Sequence, residues 1–300
     1  MLTTIVFILD GAEPPSPAAE RETSEAAAAL TAQGYRSFVC TAHGVMLPPQ
    51  LAGCLKEETL AVTDGPGTAA ALLGRGYATA GYSHAGSRGR SFSGIPYVIE
   101  EPAEVDADSY EKIFQRGRGL PWTILETERC IVREFTADDL EAISALYDAD
   151  ARRWLEAPSG HKERERAILR AYIDRIYRLY GYGHWAVILK ETGDLIGRMG
   201  YGVPRQAAGE ALKGGEETDG ITEEDGVLGY LLGARWRGQG LAEEVCRALI
   251  RYGLEEIGFA RIAAEVHRDN AVSRRFLLKL GFRELPIPEN ARGERTYILG

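Results

Sequence analysis

One stretch constrains this chain more than any other. Residues 227–240 read VLGYLLGARWRGQG, and LAEEVCRALI follows without a break. The apolar run has the character of a buried strand, the last segment has helical spacing, and Arg235 to Gly240 must turn the chain from one into the other. Gly238 and Gly240 let the backbone approach a ligand closely. The free amides of the helix start, at the positive end of its dipole, form an anion site. A diphosphate, held by those amides and by Arg235 and Arg237, is the natural guest. A Gly-x-Gly before a helix is also a common structural turn, so the loop alone leaves both readings open.

The chain has 300 residues, about twice the usual domain, which implies two domains. Residues 1–118 alternate short apolar runs (4–9, 36–40, 60–63, 78–82, 97–100) with helical patterns (from Ser16-Pro17 to Gly34, 65–73 and 111–118). That alternation predicts a small, open, Rossmann-like α/β domain with a mainly parallel sheet. The boundary is expected within residues 118–124, and a second domain over residues 122–300. There the pattern predicts a strand at 130–133, a helix capped by Thr136, a long helix at 163–180 and a hairpin of 184–189 with 194–201 about Gly193. Further strands are expected at 226–232, 261–266 and 296–299, with helices at 241–257 and 270–280.

Composition excludes several function classes. Hydrophobic residues make up 45% and charged residues 26%, the balance of a globular protein. A net charge of -9 argues against a nucleic-acid partner. The four cysteines, Cys40, Cys54, Cys130 and Cys246, form no Cys-x-x-Cys pair. No disulfide framework or cysteine-built metal site is expected, and a reducing cytoplasm suits them. The apolar opening ends at Asp10 without a basic flank and reads as a strand. No run approaches the ~20 apolar residues of a membrane helix, so no membrane partner is expected.

The loop also has a family likeness. Residues 235–240 resemble the acyl-CoA-binding signature of the GNAT superfamily of N-acetyltransferases, Arg/Gln-x-x-Gly-x-Gly/Ala between a fourth strand and a third helix. Downstream, Asn270-Ala271-Val272-Ser273 and Leu277-Leu278-Lys279-Leu280-Gly281-Phe282 are similar to the branch that holds the ribosomal-protein N-terminal acetyltransferases, as are residues 127–133 and 184–202. These blocks run in family order over residues 122–299. The resemblance implies a mixed sheet flanked by helices and splayed between its fourth and fifth strands, where the pantetheine arm of acetyl-CoA, the co-substrate, lies like an added strand. It implies that Gly229, Tyr230, Leu231 and Leu232 bond that arm, with one amide facing the thioester oxygen. By the same likeness the amides of Arg237, Gly238, Gln239, Gly240, Leu241 and Ala242 hold the diphosphate, and Asn270 bonds near the pantetheine. The implied acceptor is a primary amine, on a small molecule or at a peptide or protein N-terminus, that attacks without a covalent acyl-enzyme.

That chemistry needs proton transfers, because an alkylamine of pKa about 10 is mostly ammonium at neutral pH. Glu223, Glu224 and Asp225, before the strand at 226–232, and Glu265 on the next strand are candidate bases, each equally at home as a solvated acid. Many family members carry a tyrosine four residues before the glycine that ends the last helix. Leu277 stands there in this chain. Ser273 is then the substitute donor to the departing thiolate, or else a helical serine bonding back to the preceding turn. His267 reads as a base or a polar cap and His184 as structural. Tyr172, Tyr177, Tyr180 and Tyr182 read as a core face first and an acceptor wall second.

Two features stand apart from this pattern. Residues 204–225, rich in Gly and acids, lengthen a turn that family members keep shorter, and their charge is expected to favour cationic acceptors. Residues 4–12, TIVFILDGA, resemble the opening strand of haloacid-dehalogenase-like hydrolases, with Phe7, Asp10 and Gly11 matching and Ile8 at the nucleophile's position. Together with residues 60–65 and 94–100 this implies a catalytically inactive relative. Residues 65–68, Gly-Pro-Gly-Thr, read as a phosphate cradle or as a helix start capped by Asp64 or Thr63. Three functions follow from the whole: an N-acetyltransferase with an accessory domain, an acyl-CoA-binding sensor or scaffold without turnover, and a bifunctional enzyme that also hydrolyses phosphoesters. Ile8 argues against the third.

Overall fold

The computed structural model describes residues 1–11, 16–87, 89–202 and 221–299. The chain divides into two compact units, Met1–Trp122 and Thr123–Gly300.

In the first unit β1 (Thr4–Asp10), β3 (Thr59–Thr63) and β4 (Ala78–Tyr82) are buried on both faces. Such strands need a layer on each side. Helices α1 (Pro17–Ala32), α2 (Pro66–Gly74) and α3 (Ala107–Gly117) supply it. With β2 (Arg36–Ala42) and β5 (Val98–Ile99) the strands form a parallel sheet of order β2-β1-β3-β4-β5. Helix α1 starts where the Ser16 hydroxyl accepts from the Ala19 amide (3.1 Å), with Pro17 in its first turn. Ile8 is fully buried, packed with Val6, Cys40, Ala42 and Leu72.

Strand order reverses between β1 and β3, the place where such sheets open a crevice. The Asp10 amide donates there to Asp64 Oδ1 (2.7 Å), His84 Nε2 lies 3.0 Å from Asp64 Oδ2, and Arg90 donates to the Asp64 carbonyl (3.2 Å). This corrects the expected cap of α2. Its N-cap is Gly65, with no side-chain bond. Asp64 is turned into the sheet end, and the Thr63 hydroxyl accepts from the Gly65 amide (3.2 Å).

The second unit holds a sheet of order β12-β13-β11-β10-β9-β8-β7-β6. Its elements are β6 (Thr123–Glu126), β7 (Cys130–Arg133), α4 (Leu140–Ala145), α5 (Lys162–Tyr180), β8 (His184–Leu189), β9 (Leu195–Gly202) and β10 (Asp225–Leu232). Then follow α6 (Leu241–Tyr252), β11 (Arg261–His267), α7 (Ala271–Leu280), β12 (Arg283–Glu284) and β13 (Glu294–Leu299). Pairing is antiparallel except between β10 and β11, so the sheet is mixed. Thr136 and Asp139 form a reciprocal capping box that starts the turn leading into α4.

Helix α6 ends at Tyr252, within the helical run that its apolar pattern predicts to residue 257. The Tyr201 hydroxyl donates to the Leu249 carbonyl (2.6 Å), and a π turn over Gly253–Ile257 carries the chain on. Met199 touches Cys246 of α6 (3.9 Å between sulfurs), while its neighbour Arg198 donates to Tyr147 Oη (3.0 Å), just past α4. Successive strand residues face opposite ways. Helix α6 therefore covers one face of the sheet and α4 the other.

Among the described residues, no helix is long and apolar enough to cross a membrane, and no group of three or more His, Cys, Asp or Glu is placed to hold a metal ion. All four cysteines are free and buried. Residues 204–220 of the acidic insertion lie outside the described residues.

Candidate active site

The site begins where two strands part. Strands β10 and β11 pair only at Asp225 with Arg261, Gly226 with Ile262 and Val227 with Ala263. On its other edge β10 stays paired to β9 through Leu232. At the closed end the Arg261 guanidinium grips Asp225 with two bonds, Nε to Oδ1 at 3.0 Å and Nη2 to Oδ2 at 2.7 Å. Burial alone would raise the Asp225 pKa. The bonds from Arg261 and the Thr222 amide outweigh it and hold the carboxyl below its usual range. Phe259 packs against Gly226 so closely that a Cβ there would collide with its ring.

Beyond Val227 the strands diverge around a cavity of about 430 Å³. Leu228 to Leu232 form one wall and Glu265 to His267 the other, with the start of α6, α7 and Trp154 around them. Among the described residues, the ladder edge of β10 that faces this cavity has no strand partner. A narrow chain carrying amide groups fits such an edge as an added strand.

The loop into α6 is built for close approach by an anion. Gly238 and Gly240 have φ of 77° and 79°, a left-handed conformation that L side chains rarely adopt. A Cβ on Gly238 would meet nothing within 4 Å, and one on Gly240 only the Arg129 guanidinium at 3.5 Å. The first-turn acids of α6 are both compensated. Glu243 pairs with Lys279 and with Arg247 (3.1 Å), and Glu244 with Arg129 (2.7 Å). Lys279 first and then Arg247 hold the Glu243 carboxyl low. The positive end of the helix is thus not cancelled by its own acids.

Twelve of the sequence-predicted site residues line this one cavity: Gly229, Tyr230, Leu231, Leu232, Arg237, Gly238, Gly240, Leu241, Ala242, Glu265, Asn270 and Ser273. Arg237 is also a strut, pairing with Asp148 (2.9 Å) and donating to the Leu232 carbonyl (2.9 Å). Arg235 is not among the lining residues. It stacks on Trp236 (4.3 Å) and pairs with Asp194 (3.4 Å). Gln239 turns back to the Arg235 carbonyl (2.9 Å).

Glu224 is not brought to the cleft. Its carbonyl accepts from the Ala260 amide (2.9 Å) beside the closed end, and the cavity starts four residues on, about 13 Å along a strand. Its neighbour Asp225 is engaged by Arg261. A charge pattern just before a strand does not reveal which end of that strand will open.

Asn270 caps α7, its side chain accepting from the Ser273 amide (3.1 Å). Ser273 makes no side-chain bond back to the preceding turn among the described residues. Tyr230 Oη donates to the Ser273 carbonyl (3.4 Å), and its ring packs edge-on against Phe276 at 5.0 Å. Leu277 is fully buried in the core. Glu265 Oε1 and Glu294 Oε2 are bridged by the Asn290 amide, at 3.1 and 2.8 Å. His267, two residues along the same face, packs against Trp154 at 5.3 Å.

The aromatic cluster supports the sheet. Tyr172 Oη accepts from the His184 amide and Tyr177 Oη donates to its carbonyl, both at 2.6 Å. The His184 ring lies along Gly200 and Gly229, its cross-strand neighbours, and a Cβ on Gly229 would collide with Nε2. Burial first, then the Arg198 charge, push its pKa well below the ordinary value. Trp154 and Glu294 were not expected at the cleft. Trp154 follows a short irregular turn and Glu294 opens a strand, and neither carries a local pattern.

Residues 129–283, just over half the chain, match the family profile described as Acetyltransferase (GNAT) domain. The chain is 32% identical over 165 residues to the uncharacterized N-acetyltransferase YoaA of Bacillus subtilis (strain 168), covering 54% of this chain and 83% of that one. It is 26% identical over 163 residues to the uncharacterized N-acetyltransferase p20 of Bacillus licheniformis, covering 53% and 82%. A solved acetyltransferase from Agrobacterium tumefaciens strain C58 is similar over 59% of this chain and 93% of that one, at 20% identity and a TM-score of 0.45.

Proposed function

The chain belongs to the GNAT acetyltransferase family, and we propose that it transfers the acetyl group of acetyl-CoA to a primary amine by direct attack in a ternary complex. The observation that carries this reading is the parting of β10 from β11 beside the glycine start of α6. One edge of unpaired strand and one anion-binding helix start meet in a single cavity, which suits a cofactor with an amide-bearing arm and a diphosphate.

In this reading the free edge at Gly229 to Leu232 bonds the pantetheine amides, and one amide faces the thioester oxygen as it gains negative charge. The amides of Arg237 to Ala242 bind the diphosphate, with Arg237 beside them. Asn270 orients the first turn of α7. The amine forms a C–N bond to the thioester carbon while the C–S bond breaks. One proton leaves the ammonium before attack and a second leaves nitrogen afterwards. Glu265 accepts the first at its carboxylate and releases it to solvent, the Ser273 hydroxyl gives its proton to the departing thiolate, and that hydroxyl is restored by the second proton, passed from the nitrogen through water. The first unit has an accessory role without phosphoester chemistry, because Ile8 is an aliphatic core residue where such chemistry needs a nucleophile.

Thiol release from acetyl-CoA, measured over a panel of small amines and short peptides with the full chain, tests the proposal. Release with at least one amine is expected. Tight acetyl-CoA binding without release from any acceptor would instead make the chain a binding protein.

A further inference from the structure

A second cavity, of about 470 Å³, opens between α4 and α5. We propose that it is the acceptor subsite and that it selects amines whose apolar body carries a carboxylate, with Arg198 as the anion's partner; this rests on the acetyl-transfer reading above. Most of its walls are apolar or aromatic, with Phe135, Ile143, Leu169 and Tyr172 among them. Its size suits a body as large as an amino acid.

Arg198 is the half-buried cation of this cavity, and the other, Arg164, is exposed. Arg198 stands on β9 directly opposite Leu231 of β10, and Leu231 lines the cleft. Residues opposed in this way share a face with Cβ atoms about 5 Å apart, so a lining residue of the cavity neighbours a lining residue of the cleft. One guanidinium nitrogen donates to Tyr147 Oη (3.0 Å), and among the described residues no carboxylate comes within ion-pairing distance. The acids at the cavity mouth are Glu156 and Glu165, and the second is already bonded by the Ser159 amide and hydroxyl, at 2.8 and 2.5 Å.

A half-buried guanidinium without a counter-charge is costly, and a carboxylate matches its fork with two parallel bonds. The same charge repels an ammonium. An acceptor is expected to bind with its anion on Arg198 and its amine turned toward the cleft. A carboxylate close to the amine suits that pose, and it belongs either to a free amino acid or to a short peptide.

Thiol-release kinetics of the full chain with L-phenylalanine, L-phenylalaninamide and phenethylamine test this. The expected result is a kcat/KM for phenylalanine at least 100-fold above that for phenethylamine, with the amide near the latter. In Arg198→Met the ratio should fall to within about threefold of one, and Arg198→Lys should restore part of it. Calorimetry with acetyl-CoA checks that each variant is folded. Better turnover of phenylalanyl-alanine than of phenylalanine would assign the carboxylate to a peptide and support the subsite if Arg198→Met removes the advantage. Equal use of phenylalanine and phenethylamine by the unaltered chain, or an equal loss of both in Arg198→Met, would overturn it. Acetyl-CoA binding with no turnover of these probes overturns the subsite alone. Absence of acetyl-CoA binding overturns the reading beneath it as well.

Discussion

Each unit brings parallel strands to a crevice at their carboxyl ends, and the two crevices are finished differently. In the first unit Asp64 takes the Asp10 amide and sits against His84, while Arg90 takes the Asp64 carbonyl. The polar groups at the switch point bond one another. In the second unit β11 leaves β10 after Val227, and among the described residues the β10 edge facing the cavity has no strand partner. A crevice whose polar groups are mutually satisfied has little to offer a ligand. One that leaves a strand edge unmet beside a helix start offers both hydrogen bonds and a field. Among the described residues, the contrast supports the acetyl-transfer reading of the second unit.

The contrast can be broken most strongly at the helix start. Gly240→Glu puts a side chain and a negative charge at a position of φ 79° beside the cavity, and should weaken acetyl-CoA binding at least 100-fold by calorimetry. Gly240→Ala, with only Arg129 near its Cβ, should cost less than about tenfold from backbone strain. Comparable losses in the two variants would mean that the loop's shape matters and its charge does not.

Two carboxylates on neighbouring strands sharpen the distinction between the open and closed ends of the cleft. Glu265→Gln, at the open end, should lower kcat by about 100-fold while acetyl-CoA affinity stays within threefold. A matched fall in affinity would make it a binding residue. Asp225→Asn, at the closed end, should remove the charge that Arg261 grips and lower stability by about 1–3 kcal/mol, less than for a fully buried pair because Arg261 is partly exposed. The native Asp225 pKa lies below its unfolded value. Its contribution is therefore present above about pH 4 and is lost as pH falls through the native pKa. Denaturant unfolding should show the gap between native and variant chains narrowing in acid, and a gap that widened would contradict the ion pair.

The smallest expected effect is in the first unit. Asp64→Asn removes a charge that the Asp10 amide and His84 share, and should cost about 1–2 kcal/mol. Faster hydrogen exchange at the amides of β1 and β3 would report it. Unchanged exchange would mean that the crevice is not held by this network.

The loop and helix start were legible because they are local. Arg235 to Gly240 and the apolar spacing of α6 lie within a few residues of each other, and their order restricts what they can form. The split itself was not legible from the run Val227 to Leu232, whose residues look alike whether or not β11 pairs with them. The placement of the acids before β10 was not legible either. Glu223, Glu224 and Asp225 are one charge cluster in sequence, yet Asp225 is claimed by an arginine 36 residues away. The cap expected of Asp64 lost to a histidine 20 residues on, since a tertiary partner outweighed the local signal. The helical run reaches the expected residue 257, its last turn being a π turn over Gly253–Ile257 that the apolar spacing did not distinguish.

Hydrogen–deuterium exchange of the full chain with and without saturating acetyl-CoA tests the central claim most directly, because it reads the free strand edge and the helix start together. The account predicts protection at the amides of residues 229–232 and 238–242, with the strands of the first unit unchanged. Protection confined to the sheet of the first unit, or none at either segment under saturating acetyl-CoA, would contradict it.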